Sequence, residues 1–195
     1  MMIFVFKGRS QSILGFLLTG IFMCLFAGEI NGLILNSTDL SMRFLTVNIT
    51  PIVEEFLKAL PVVYIAFLIK PNRLFLLECS IAVGVGFATM ENVCLLFDFA
   101  SALSAGTIIA RGLGAGMMHG ISTLIVGYFM TFASSDRKLS YTGTVAALSA
   151  AIIYHSIYNI MVQSAHPMLG VLLPAATFVP LLLIVRKQRK TKNEK

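Results

Sequence analysis

Six apolar runs, each close to the length needed to cross a bilayer, occupy most of this 195-residue chain. They lie at about residues 12–34, 45–69, 74–97, 105–131, 142–164 and 168–185. A helix needs roughly 20 apolar residues to span the hydrocarbon core of a membrane. Because lipid offers the backbone no hydrogen-bond partners, such runs fold as helices that satisfy their own amides and carbonyls. The sequence therefore predicts an all-α fold, a polytopic membrane helix bundle of about six transmembrane helices.

The composition agrees with a multi-pass integral membrane protein. Charged residues make up 12% of the chain, and the mean hydropathy is +0.86. Soluble domains contain about 25% charged residues. The lipid bilayer is thus the expected surrounding, and residues 1–195 are expected to form a single transmembrane domain. The three cysteines, Cys24, Cys79 and Cys94, lie in apolar runs, as packing residues do, and their odd number argues against a disulfide framework.

The distribution of basic residues predicts the orientation of the bundle. If the N-terminus is inside, the inner segments hold twelve of the fifteen lysines and arginines. Six of the twelve form a basic tail at residues 186–195, and the others are Lys7, Arg9, Lys70, Arg73, Arg137 and Lys138. Only Arg43 falls outside, so the positive-inside rule predicts that both termini are cytoplasmic. The basic residues follow membrane flanks and do not alternate with aromatics, so no nucleic-acid partner is expected.

Five charged residues and two histidines interrupt the apolar runs. Each charge at a membrane centre costs roughly 2.5–3.5 kcal/mol on insertion scales, so such residues usually face the bundle interior and carry function. Counting residues along each run, at about 1.5 Å per residue, brings the carboxylates and imidazoles to overlapping depths in the outer half of the bilayer. The set comprises Glu54, Glu55, Lys58, Glu91, Arg111, His119 and His155.

The spacing within the second run indicates two different glutamates. Glu54 and Lys58 are four residues apart, which makes an ion pair within the helix available. Glu54 and Glu55 point about 100° apart, so one is expected to bind the reacting centre and the other to pair with Lys58 or a neighbouring helix. Pro51 and Pro61 flank the pair and can free backbone carbonyls near it.

Other spacings place polar and small residues on single helix faces. His119 and Thr123, and likewise His155 and Asn159, are four residues apart and share a face. Glycines on the third and fourth runs are expected to let helix backbones approach closely. These glycines are Gly84, Gly86, Gly112, Gly114, Gly116 and Gly120.

Missing motifs exclude several protease classes. The chain has no His-Glu-x-x-His sequence, which argues against a zincin-like site. Asp39, Asp98 and Asp136 all fall between the apolar runs, so no intramembrane aspartate dyad is available. Ser122 lacks the Gly-x-Ser-Gly surroundings of a rhomboid-like nucleophile.

Four short blocks remain, in order, on successive helices. They are Glu-Glu-x-x-Lys at 54–58, Phe-x-x-x-Glu at 87–91, His-x-x-x-Thr at 119–123 and His-x-x-x-Asn at 155–159. Together they resemble the PrsW family of intramembrane proteases. More widely, they resemble the clan of CAAX-processing and bacteriocin-processing membrane endopeptidases and the γ-secretase scaffold subunit. The resemblance covers a motif-bearing core of roughly residues 50–160.

The resemblance implies an intramembrane endopeptidase with Glu54, Glu55, Glu91, His119 and His155 as the catalytic set. Lys58, Arg111, Thr123 and Asn159 are the expected supporting residues. Lys58 and Glu91 stand where many CAAX-type members have arginine and histidine, which argues against a prenylated substrate. PrsW-like enzymes are associated with cleaving single-span membrane proteins, such as anti-sigma factors, near the outer face. The resemblance therefore implies such a substrate and a bacterial plasma membrane.

Charge balance leaves the mechanism open. Three glutamates, one lysine and one arginine give the predicted site a net charge of −1 beside two imidazoles. A protonated carboxyl group, a protonated histidine or a divalent cation can balance this charge. Zn²⁺ is the candidate cofactor, and its candidate ligands are Glu54, Glu91, His119 and His155. Two other function classes also stay open, a non-catalytic membrane scaffold and a proton- or ion-coupled transporter.

Overall fold

The computed structural model of the protein describes residues 8–99, 104–133 and 139–179. Within these ranges the regular structure is helical, which confirms the predicted all-α bundle. Six helical segments follow one another in the order of the six predicted runs. They are α1 (Arg9–Ser37), α2 (42–69), α3 (Arg73–Phe99), α4 (Ala105–Ala133), α5 (Leu139–Val162) and α6 (Pro167–Val179).

Four of these helices are long and apolar enough to cross a membrane, namely α1, α3, α4 and α5. The second predicted run forms α2, whose four charged residues and irregular turns set it apart from these four helices. The described part of α6 is shorter. The remainder of the sixth predicted run and the basic tail at 186–195 lie outside the described residues.

Helix α2 is a composite of α-helical and π-helical turns. A short α-helical turn (Met42–Phe44) leads into a π-helix (Leu45–Ile49), then an α-helix (Thr50–Tyr64) and a second π-helix (Ile65–Ile69). Pro51 lies at the start of the middle α-helix and Pro61 lies inside it. Proline has no amide hydrogen to donate, which explains why the regular pattern changes near both positions. The irregular turns therefore flank the segment that carries Glu54 and Glu55.

Helix α3 lies between α1 and α4, while α5 packs on α4 and α2 contacts all four of these helices. The largest buried apolar cluster joins α2, α3, α4 and α5 around Val62, Cys79, Met130 and Ala147. Cys24 and Cys79 are buried free thiols, in agreement with the predicted packing role.

The glycine prediction holds for α3 and fails for part of α4. A Cβ atom at Gly86 would collide with the Leu17 carbonyl of α1, and one at Gly84 would collide with the His119 carbonyl of α4. At Gly112 and Gly116 a Cβ atom would meet nothing within 4 Å among the described residues. These two glycines instead line a groove of about 430 Å³ between α3, α4 and Phe178 of α6. Among the six predicted glycines, the closest backbone approaches are therefore those of Gly84 and Gly86 on α3.

Basic residues gather at one end of the bundle. Arg9 of α1 forms an ion pair with Glu78 of α3 at 2.6 Å. The guanidinium of Arg73, at the start of α3, lies 5.0 Å from the ring centre of Tyr128 near the end of α4. This clustering agrees with the predicted charge segregation, while Lys7, Arg137 and Lys138 fall outside the described residues. The cytoplasmic location of both termini stays a prediction.

Candidate active site

The seven ionisable side chains singled out in the sequence meet inside the bundle. Helix α2 contributes Glu54, Glu55 and Lys58, α3 contributes Glu91, α4 contributes Arg111 and His119, and α5 contributes His155. Each is linked to another member of the set by an ion pair or a hydrogen bond. The four-helix meeting point predicted from depth alone is therefore present.

Glu55 is the centre of the buried network. Its Oε1 atom lies 2.6 Å from Lys58 Nζ and 2.8 Å from His155 Nδ1. The hydroxyl of Ser122 donates a third hydrogen bond to the same oxygen at 3.0 Å. Both side chains of the Glu55–Lys58 pair are fully buried. Glu55 thus connects α2 to α4 and α5 through one carboxylate oxygen.

Of the two glutamates that the sequence offered as partners of Lys58, the structure pairs it with Glu55. The ammonium group pairs with Glu55 three residues away and also lies 2.8 Å from His119 Nδ1. It sits 4.8 Å from the ring centre of Phe87. Lys58 and Glu55 both point toward α4, where His119 and Ser122 supply further partners. This shared direction explains why Lys58 pairs with Glu55 and not with Glu54. Glu54 is left free of the ion pair.

The hydrogen bonds give the two histidines opposite tautomers. An ammonium group can only donate, so His119 Nδ1 accepts from Lys58 and its Nε2 carries the proton. That Nε2 lies 2.8 Å from Glu91 Oε2, to which it donates. The carboxylate of Glu55 can only accept, so His155 donates from Nδ1, and its Nε2 lone pair is available.

Glu91 and Arg111 form the open side of the site. Arg111 Nη2 lies 3.4 Å from Glu91 Oε1, and their side chains are 36% and 28% exposed. The other five ionisable side chains are buried. A substrate backbone can therefore approach at the Glu91–Arg111 side without displacing the buried ion pair.

Glu54 is a buried carboxylate that the network leaves unsatisfied. Its Oε2 atom has no hydrogen-bond partner among the described residues and lies 3.9 Å from His155 Nε2. An ionised carboxylate in apolar surroundings is costly unless a cation, a donor or a proton accompanies it. Glu54 therefore offers an unused oxygen to a reacting group.

The position of Glu54 also fits a metal ion. One ligand atom each from Glu54, His119 and His155 lie within 4.8 Å of one another, and all three residues are buried. One carboxylate and two imidazoles form a known Zn²⁺ ligand set. His155 is already oriented by Glu55 through its other ring nitrogen, as zinc-binding histidines usually are. His119 can offer Nε2 only after the proton on Nε2 has left, and the ring then stays a neutral imidazole only if Nδ1 takes a proton from Lys58.

The two remaining predicted supporting residues contact backbone carbonyls. Thr123 donates to the carbonyl of His119 within α4 at 2.9 Å. Asn159 donates from Nδ2 to the carbonyl of Thr46 in the first π-helix of α2, also at 2.9 Å. Both residues therefore shape the helices that carry the site.

Ser122 is the site residue that sequence reasoning missed. The sequence drew attention to it only as an unsuitable nucleophile, whereas the structure buries it fully with its hydroxyl on Glu55. Its position three residues after His119, on the same face of α4, was the signal that could have identified it.

Comparison with known proteins identifies the family of the chain. The family model described as "PrsW family intramembrane metalloprotease" matches residues 8–185, well beyond the motif-bearing core. No curated protein and no solved structure matches the chain. The matched region contains all four sequence blocks and every helix that supplies the buried polar network. The chain belongs to the PrsW family of intramembrane metalloproteases.

Proposed function

We propose that this protein hydrolyses a peptide bond in a single-span membrane protein of the anti-sigma-factor type. The observation that carries the proposal is the buried Glu54 carboxylate oxygen, which has no hydrogen-bond partner among the described residues beside the free Nε2 of His155. An unsatisfied carboxylate next to an imidazole lone pair suits the activation of water. The family assignment supports an intramembrane protease with a membrane-protein substrate.

Glu54 is the proposed general base. Its carboxylate takes a proton from water as the water oxygen attacks the peptide carbonyl carbon. The same proton then passes to the departing amine when the carbon–nitrogen bond breaks, which returns Glu54 to its starting state. His155, held by Glu55, orients the water through Nε2.

Glu55 and Lys58 are proposed to maintain the geometry of the site. The pair fixes the tautomer of each histidine, because Glu55 accepts from His155 and Lys58 donates to His119. A buried ion pair with additional hydrogen bonds can hold several helices in one arrangement. We therefore assign these two residues positioning roles.

A metal ion is compatible with the same residues. Glu54, His119 and His155 would hold Zn²⁺, which when bound lowers the pKa of water to about 7 and polarises a carbonyl group. Because Nε2 of His119 would then bind the metal, Glu91 would give up its hydrogen bond to that nitrogen and would lie where it can join the ligands. Membership of a family described as metalloproteases supports a bound metal ion.

Arg111 is the proposed donor to the substrate backbone. Its guanidinium lies on the open side of the site, and its Nε atom has no hydrogen-bond partner among the described residues. Arginine presents several donors and keeps its charge under all working conditions. A peptide carbonyl entering beside Glu91 would meet this group.

The setting of the reaction follows from the predicted orientation. With cytoplasmic termini, the site lies in the outer half of the bilayer, so cleavage would occur near the outer face of a bacterial plasma membrane. The single transmembrane domain would provide all catalytic groups from residues 50–160. The partly exposed side of the site at Glu91 and Arg111 would admit water, the second reactant of the hydrolysis.

Co-expression with a panel of single-span membrane reporters tests the proposal. We expect the unmodified protein to cleave at least one reporter, and Glu54→Gln to remove that cleavage while the protein still accumulates in membranes. His155→Ala should have the same effect. His166, an exposed histidine between α5 and α6, provides the control, because His166→Ala should leave cleavage intact. Undiminished cleavage by Glu54→Gln would exclude this glutamate as the base.

A further inference from the structure

A backbone carbonyl near the start of α2 lies outside the hydrogen-bond pattern of its own helix. At the end of the π-helix Leu45–Ile49 the amide of Thr50 bonds five residues back, to the Leu45 carbonyl. The next amide in this register would belong to residue 51, which is proline and has no N–H. This register therefore supplies no donor to the carbonyl of Thr46.

Asn159 of α5 supplies the missing donor. Its Nδ2 atom donates to the Thr46 carbonyl at 2.9 Å, and Gln163 one turn later donates to the Thr46 hydroxyl at 3.1 Å. An unpaired carbonyl in apolar surroundings is costly, so this hydrogen bond has a strong preference to form. Pro51 thus creates an acceptor on α2 that one side chain of α5 satisfies.

The bond joins the two helices that carry the reacting groups. Asn159 lies one helical turn after His155, and Pro51 lies three residues before Glu54. Within the site, Glu54 Oε2 and His155 Nε2 are 3.9 Å apart. A shift of α2 along α5 would change the distance between Glu54 and His155 directly. Thr46 and Asn159, which form the hydrogen bond, lie within about two helical turns of these two residues.

We infer that Asn159 is a positioning residue, whose bond to the carbonyl freed by Pro51 holds Glu54 in register with His155. The inference rests on the proposed function, in which these two groups activate water. It gives Asn159 a role through the backbone of α2, without contact to the substrate. It also explains why proline precedes the paired glutamates, since proline is what leaves the Thr46 carbonyl available.

The test uses the full-length protein and four variants: Asn159→Ala, Asn159→Asp, Pro51→Ala and the double variant Pro51→Ala/Asn159→Ala. Asn159→Asp keeps the side-chain size but removes the donor. A misplacement of about 1 Å can lower a catalytic rate by about 100-fold. We therefore expect both Asn159 variants to lower kcat by about 10- to 100-fold on a cleavable single-span reporter, with KM nearly unchanged.

The double variant provides the decisive measurement. Alanine at position 51 restores an amide hydrogen, which allows the turn to satisfy its own carbonyls. We expect Pro51→Ala/Asn159→Ala to regain most of the lost kcat. Hydrogen–deuterium exchange of residues 42–50, measured without any substrate, should rise in Asn159→Ala and fall again in the double variant.

Two results would overturn the inference. If Asn159 donates directly to the substrate, the double variant will be as inactive as Asn159→Ala. Unchanged exchange of residues 42–50 in Asn159→Ala would show that the bond does not hold α2, and this readout applies even if no reporter is cleaved. Glu54→Gln separates this outcome from failure of the proposed function, since cleavage by that variant would exclude the water-activating role itself.

Discussion

Nδ1 of His155 lies 2.8 Å from Oε1 of Glu55, and Nε2 of the same ring lies 3.9 Å from Oε2 of Glu54. Two adjacent glutamates therefore face the two nitrogens of one imidazole. Oε1 of Glu55 is held by Lys58, Ser122 and His155, while Oε2 of Glu55 and Oε2 of Glu54 have no hydrogen-bond partner among the described residues. The imidazole of His155 therefore lies between the Glu55 carboxylate, which holds the helices together, and the Glu54 carboxylate, which is available to react.

The Glu55–Lys58 pair should behave as a structural unit. We expect Lys58→Met to lower the free energy of unfolding by about 3–5 kcal/mol, because it leaves a buried carboxylate without its cation. Glu55→Gln combined with Lys58→Met should recover much of this loss, since neither partner of the pair then leaves an unpaired charge buried. Thermal unfolding of the purified proteins in detergent measures both effects. Equal stability of Lys58→Met and the unmodified protein would contradict the assigned role.

Ser122 should affect geometry without acting as the nucleophile. Its hydroxyl donates to Glu55 and also to the His119 carbonyl at 3.1 Å. We expect Ser122→Ala to lower stability by about 1 kcal/mol, the usual value of one hydrogen bond, and to retain measurable cleavage. Reporter cleavage and unfolding midpoints check these outcomes. Complete loss of cleavage in a stable Ser122→Ala protein would revive the serine mechanism.

Metal content should depend on the buried histidines. In the metal-bound form of the proposal, in which Glu54 is a ligand and not the general base, the purified protein should retain Zn²⁺ in about equimolar amount and lose it in His119→Ala and His155→Ala, because each removes one of three candidate ligands. Elemental analysis measures the content directly, and a strong chelator should abolish cleavage until Zn²⁺ is restored. His166→Ala is the matched control and should keep its metal. Full cleavage by a metal-free protein would favour the glutamate mechanism without a cation.

Gly84 should tolerate no larger side chain. A Cβ atom there would collide with the His119 carbonyl, so Gly84→Ala must push α3 away from α4. We expect a loss of about 1–3 kcal/mol in unfolding free energy, together with reduced cleavage as Glu91 separates from His119.

Gly28 on α1 serves as the comparison for Gly84. It is an exposed helical glycine with nothing within 4 Å of an added Cβ atom. Gly28→Ala should therefore be neutral or slightly stabilising, because alanine favours helix more than glycine does. A similar response of the two variants would mean that the α3–α4 approach does not limit stability.

The positions of the charges within the apolar runs were sufficient to predict the meeting of α2, α3, α4 and α5. A charge is costly in lipid, so the chain must bury it against others at the same depth. Glu91, His119 and His155 meet in the bundle as predicted, and the different surroundings of Glu54 and Glu55 follow from their 100° separation on a helix. The catalytic role of each residue stays a prediction.

Which individual side chains pair with one another was not predictable in the same way. The four-residue offset suggested Glu54 as the partner of Lys58, yet the structure pairs Lys58 with Glu55 at 2.6 Å. Both offsets are within reach on a helix, and the choice depends on His119 and Ser122 of α4. Likewise, a glycine pattern does not tell which face meets a neighbour, so Gly84 packs closely while Gly116 lines a groove.

The sequence by itself determined the helical class and the order of the helices and predicted overlapping depths for the polar groups, because these depend on length, composition and periodicity along one chain. Only the tertiary structure decided which glutamate is paired, which nitrogen of each histidine is free and which carbonyl Asn159 satisfies. These choices depend on distances of a few ångströms between side chains far apart in sequence. Helix rotation and register fix those distances, and both are set by the packing of all the helices together.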